Sequence, residues 1–205
     1  MTNKEMYHYI QQAECDELQQ QRMLEAEWME KEQYTLEYQL HKTFETLNER
    51  YWISGGERRK KLFQFNLERL MKKFGEQYSE EYLIDFINKK FDNINWEQPT
   101  KFVVNNESPN LATAKLDVNE IHFNVKQLEE FFERLKQGKD EYDICYKHEN
   151  ELMKKHVETD YDYLRWMMCH EFNHILRPEA RHGKKFSQQV LQMYLALPKT
   201  EITQK

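Results

Sequence analysis

Turn-forming residues are scarce in this chain. Five glycines and four prolines interrupt 205 residues, too few for a β-sandwich or barrel with its many short strands. Between them, apolar side chains recur at helical spacing. Leu36, Leu40, Phe44, Leu47 and Tyr51 step by threes and fours, and the pair Gly55-Gly56 is expected to stop that helix. Phe63, Leu67, Leu70 and Phe74 make a second stripe that runs to Gly75. Ser79, with Glu80 and Glu81 behind it, reads as the start of a third helix, Ser79 to about Phe91. Ahead of these, residues 1–34 are rich in Gln and Glu, and the scattered Met6, Ile10, Leu18, Leu24 and Trp28 hold no single face.

The pattern changes after Trp96 and Pro99. Phe102-Val103-Val104, Leu111 to Leu116 and Ile121-His122-Phe123 read as three short strands, separated by turns at 105–110 and 117–120. Helical spacing resumes at Val125, through Leu128, Phe131, Phe132 and Leu135, and stops near Gly138. A polar, helical insert follows from Glu141 to about Val157. Thr159 then caps a new helix with Asp160 and Asp162 in its first turn, where negative charge suits the helix dipole. The expected class is α+β, a small sheet packed by helices. Two parts are expected, a helical N-terminal region over 1–78 and a sheet-bearing domain over 79–205.

Composition narrows the function classes. Twelve Tyr, twelve Phe and four Trp argue for a packed aromatic core despite a mean hydropathy of -1.00, because disordered chains are poor in aromatics. No apolar run approaches the roughly 18 residues of a membrane span, and the first thirty residues are too polar for a signal peptide. A soluble, cytoplasmic protein without membrane contact is expected. Cys15, Cys145 and Cys169 are odd in number, far apart and form no CxxC pair, which excludes a zinc ribbon and disfavours a disulfide framework. Net charge is -6, and residues 1–50 alone carry -6, unlike the broad basic field of a general nucleic-acid binder. No glycine fingerprint of a Rossmann or P-loop site is present.

The chemistry is concentrated in the helix opened by Thr159, which contains His170-Glu171-Phe172-Asn173-His174. Imidazoles four residues apart sit about 40° apart around a helix, so both reach one metal ion. Glu171 projects about 100° from His170, beside the metal, where it can take a proton from activated water. Leu164, Met168, Phe172 and Ile175 stripe the opposite side, so burying them turns the histidines toward a cleft, and Pro178 ends the helix. Catalytic zinc sites use three protein ligands, and His182 is the nearest candidate for the third. Cys169 is displaced about 100° from His170 and is expected to be a buried thiol.

The remaining candidates have plainer readings. Tyr163 reads as packing at the helix start, with lining of the cleft as its alternative. His122 reads as a strand surface residue, with ligation or substrate contact as its alternative. His148 and His156 are expected to be solvated, and His8 and His41 suggest no role. Arg58-Arg59-Lys60-Lys61 and Lys72-Lys73 read as a solvated helix face, with phosphate contact as the alternative.

Arg181-His182-Gly183-Lys184-Lys185-Phe186 completes a pattern: HExxH, a short loop, then HGxxF opening another helix. Together with Trp96, the Phe102 strand, Ala112-Thr113-Ala114 and Ile121-His122-Phe123-Asn124, this resembles the SprT-like (Spartan-type) metallopeptidases over about Ser79 to Leu197. The resemblance implies a zincin-like core, Zn2+ held by His170, His174 and His182, and Glu171 as general base in hydrolysis of protein substrates. Lys115 stands where that family has Gly, the segment 141–157 is an insertion, and residues 1–78 match nothing in it. The expected function is a zinc-dependent endopeptidase. The alternative is a metal-stabilised or inactive zincin-like protein whose acidic helical region 1–78 binds a protein partner. Nucleic acid as a partner follows from family analogy alone, and the basic group Arg177, Arg181, Lys184 and Lys185 is compatible with it.

Overall fold

A computed structural model describes residues 35–144, 146–178 and 180–198. By its contacts the chain divides into Met1–Gln39 and Leu40–Lys205, and apart from the first residues of one helix the second unit holds everything discussed below. The Gln- and Glu-rich stretch 1–34, His8, Cys15 and Cys145 lie outside the described residues. The described elements are helices α1 (Leu36–Tyr51), α2 (Gly55–Phe74) and α3 (Glu80–Phe91), strands β1 (Lys101–Val104), β2 (Ala112–Lys115) and β3 (Glu120–Phe123), then helices α4 (Val125–Lys136), α5 (Lys147–Met153), α6 (Asp160–Leu176) and α7 (Lys184–Ala196). The class is α+β. Among the described residues no helix is long and apolar enough to cross a membrane.

The front helices follow their apolar spacing. Leu40, Thr43, Phe44 and Leu47 are the buried face of α1, and Phe44 meets Phe172 of α6 and Phe102 of β1. The glycine pair does not end α1, which stops at Tyr51. Instead Ser54 caps α2 by accepting from the Glu57 amide, and Gly55 is the first helical residue. A β-carbon on Gly55 would lie 2.0 Å from the Trp96 carbonyl oxygen, so glycine here permits a close backbone approach rather than a turn. Leu62 of α2 packs with Ile87 and Phe91 of α3, joined by Phe63, Leu67, Leu70 and Trp96. Ser79 caps α3 through the Tyr82 amide.

The basic run on α2 is not wholly a solvated face. Arg58 is buried and donates to the Trp96, Asn95 and Gln98 carbonyls at 3.1, 3.5 and 3.5 Å, and its guanidinium lies over the Trp96 ring. Spacing alone misses this, because Gly55 and Arg58 lie one turn apart on the side of α2 that meets the Trp96 loop.

The sheet has the order β1-β3-β2, with β1 parallel and β2 antiparallel to β3. Ile121 and Phe123 of the central strand are fully buried. Asn119 turns the chain into β3 with φ 55, a left-handed conformation that Asn tolerates better than most residues. Its side chain donates to the Gln98 carbonyl and accepts from Thr100, which ties that turn to the entry of β1. Asn124 ends β3 and caps α4 through the Gln127 amide, while its amide group donates to the Asn106 and Ser108 carbonyls.

Thr159 caps α6 as its sequence indicates, accepting from the Asp162 amide at 3.1 Å. The expected stripe of Leu164, Met168, Phe172 and Ile175 is buried, but so is every other residue from Tyr163 to Asn173. The histidine side of α6 therefore does not open as a simple cleft. Helices α5 and α7 close over it.

Candidate metal centre

Two elements bring the three histidines together. His170 and His174 lie one turn apart on α6, and His182 sits in the loop just before Gly183, the N-cap of α7. Their Nε2 atoms converge: 3.3 Å between His174 and His170, 2.9 Å between His174 and His182, and 3.2 Å between His182 and His170. An Nε2 has one in-plane site, a lone pair or a hydrogen, so mutual hydrogen bonds cannot satisfy all three pairs. One shared cation can. For Zn–N bonds of about 2.0–2.1 Å a tetrahedron has edges of about 3.3–3.4 Å, close to the observed triangle. Among the described residues, these three are the metal-type side chains whose donor atoms lie within reach of a single ion.

The three rings sit in different electrostatic settings. Burial and the two neighbouring imidazoles hold His174 down to about 3, so its ring is neutral and its lone pair available. Burial, and then His170, also lower the pKa of His182. His170 goes the other way: burial pushes its pKa down, but the Glu149 carboxyl 2.7 Å from its Nδ1 outweighs that and raises it. Because a carboxylate can only accept, the hydrogen of His170 belongs on Nδ1, leaving Nε2 to face the other two rings.

The rings are walled by aromatics. Phe186, on the first turn of α7, stands against His170, His174 and His182 at 5.1, 4.7 and 5.0 Å between centroids. Tyr146 stacks on His182 at 3.6 Å and 6° between planes, and more distantly on His170. Glu171 is 7% exposed. Burial raises its pKa above the usual carboxylate range, against the opposing pull of His170 and a hydrogen bond from the Ala114 amide. That amide belongs to β2. Since the Leu111 carbonyl accepts from the Asn124 amide just past β3, the backbone groups of Leu111, Thr113 and Lys115 point to β3, and those of Ala112 and Ala114 point away from it along the outer edge of the sheet. Strand β2 also packs against α6.

The other sequence candidates fall elsewhere. Tyr163 is packing: its hydroxyl donates to the Asp143 carbonyl, and its ring meets Phe131, Phe132 and Tyr142. Cys169 is a buried free thiol whose pKa burial pushes up. His148 is exposed, and His156 is half-buried rather than solvated. His122 is not a surface residue. It is 6% exposed and sits between Glu120 and Asn105, because the 105–110 loop folds over that side of β3. Arg181, Lys184 and Lys185 are exposed, whereas Arg177 donates to Asn173.

Sequence reasoning missed Glu149 and Tyr146. Both come from the segment read as a polar insert, of which only seven residues, Lys147–Met153, are helical. A signal was there: Tyr146, Glu149, Met153 and Val157 recur at helical steps, and Met153 and Val157 are buried. Compared with protein-family models, curated proteins and solved structures, the chain matches none.

Proposed function

We propose that this chain is a zinc-dependent endopeptidase of SprT-like type. The observation that carries the reading is the convergence of three Nε2 atoms with no fourth ligand among the described residues. Structural zinc sites are closed by four protein ligands, whereas catalytic ones use three and leave a position open. Zinc held by His170, His174 and His182 supplies Lewis-acid polarisation of a carbonyl and makes water a nucleophile near neutral pH. Glu171, the neighbour of His170, takes the proton of the attacking water at its carboxylate and returns it to the leaving amine. Burial makes it a stronger base than an exposed carboxylate. The Ala114 amide fixes it beside the outer edge of β2, along the rest of which an extended peptide would lie.

The test is hydrolysis of an unfolded protein by the purified, zinc-loaded chain, with and without chelator. Cleavage is expected in the loaded protein and none after chelation. Glu171→Gln is expected to keep one zinc per chain and lose about 10²–10⁴-fold in turnover. Undiminished turnover in that variant would sink the assignment of Glu171.

A second reading is a zinc-stabilised interaction protein, and one observation favours it. Tyr78, just before α3, is stacked on Tyr82 at 4.9 Å, and with Phe86 they leave an exposed aromatic row, the kind of residue enriched at protein interfaces. Stoichiometric zinc without any cleavage would select it.

A further inference from the structure

Glu149 places a carboxyl group in a fully buried position. It is 0% exposed, on a seven-residue helix whose other buried side chain is Met153. One of its oxygens, Oε1, accepts from the Trp166 indole at 2.9 Å and lies 2.7 Å from Nδ1 of His170. The other, Oε2, is buried without a hydrogen-bond partner. Burying a carboxyl group with one oxygen unsatisfied is unfavourable, so packing alone does not account for a glutamate here. What it does well is hold a ring. Trp166 and His170 are four residues apart on α6, so their N–H groups rise side by side, and a single oxygen receives both.

We propose that Glu149 is a positioning residue for the metal centre. It locks the His170 ring against a half-turn that would exchange its two nitrogens, keeps the hydrogen on Nδ1, and so presents the Nε2 lone pair to the point shared with His174 and His182. Trp166 seats the carboxylate; Glu149 orients the ligand. This rests on the metal-binding reading above. The general behaviour of such outer partners is known: they orient first-sphere histidines, and losing one weakens metal affinity about 10–100-fold.

The experiment is a zinc titration against a competing chelator on the full chain, alongside the melting temperature of the metal-free protein. Wild type is compared with Glu149→Gln, Glu149→Leu and Trp166→Phe. Zinc affinity is expected to fall about 10-fold in Glu149→Gln and about 100-fold in Glu149→Leu. The metal-free Glu149→Gln protein, which keeps an acceptor oxygen, should melt close to the wild-type temperature, whereas Glu149→Leu should melt lower, because the buried Trp166 and His170 N–H groups lose their acceptor. Trp166→Phe should stay within about threefold of wild type in affinity. Unchanged affinity in both Glu149 variants overturns the proposal. So does affinity that falls only in step with the metal-free melting temperature across all three, which is the mark of a merely structural residue. Absence of zinc binding by the wild type would instead remove the metal reading itself, and the first titration of the series separates that failure from failure of Glu149.

Discussion

Two histidines in this molecule are equally hidden and similarly paired, yet the structure uses them differently. His122 and His170 are both 6% exposed. Each has one ring nitrogen on a glutamate, 2.8 Å from Nε2 of His122 to Glu120 and 2.7 Å from Nδ1 of His170 to Glu149. The difference is in the second nitrogen. Nδ1 of His122 lies 3.3 Å from the Asn105 amide nitrogen, so that ring is consumed at both ends in fastening the 105–110 loop to β3. Nε2 of His170 faces two other imidazoles. A buried histidine–carboxylate pair is thus a structural fastener until its free nitrogen meets other donors, and convergence rather than burial separates a ligand from a strut.

The strongest way to break this comparison is to remove one converging ring. His174→Ala should abolish stoichiometric zinc, while His122→Ala should leave about one zinc per chain by elemental analysis. Zinc at a thousand times its dissociation constant should stabilise the wild type by about 4 kcal/mol by mass action and His174→Ala not at all. Zinc lost equally in both variants would mean that His122 belongs to the site and that the contrast is false.

How much of that contrast was legible in the sequence depends on range. The HExxH spacing on a helix opened by Thr159 is a local property, and α6 with its two histidines one turn apart follows from it. His182 was reachable because HGxxF opens α7 with Gly183 as N-cap and Phe186 under the rings. The caps at Ser79 and Thr159 were likewise local. What was not legible is what meets across the fold. Glu149 is 21 residues from His170, on a short helix whose composition is that of a solvated surface, and only packing against Trp166 hides it. His122 and Arg58 were misplaced for the same reason. Their burial comes from loops, at 105–110 and around Trp96, that carry no periodic signal of their own.

A middle-sized effect is expected where His122 is a strut. His122→Ala leaves the Asn105 side-chain amide and the Glu120 carboxyl without their shared ring and opens a gap where a buried ring stood. The cost should be about 1–3 kcal/mol of folding stability, read from denaturant midpoints at unchanged slope. A loss below about 0.5 kcal/mol would show that the loop relaxes around the gap and that the fastener is weak.

The smallest effect sharpens the comparison most, because it changes the two glutamates alike. Glu120 has a side chain that is 24% exposed, whereas that of Glu149 is 0% exposed. Water and ions screen the first pair, and such partly exposed pairs contribute at most about 1 kcal/mol. Glu120→Gln should therefore shift stability by less than about 1 kcal/mol and leave zinc affinity where it was. The same substitution at Glu149 should do the reverse, sparing the fold and weakening the metal. If both glutamates behaved as Glu120 is expected to, the proximity of Glu149 to His170 would be packing, and zinc affinity would rest on the three imidazoles alone.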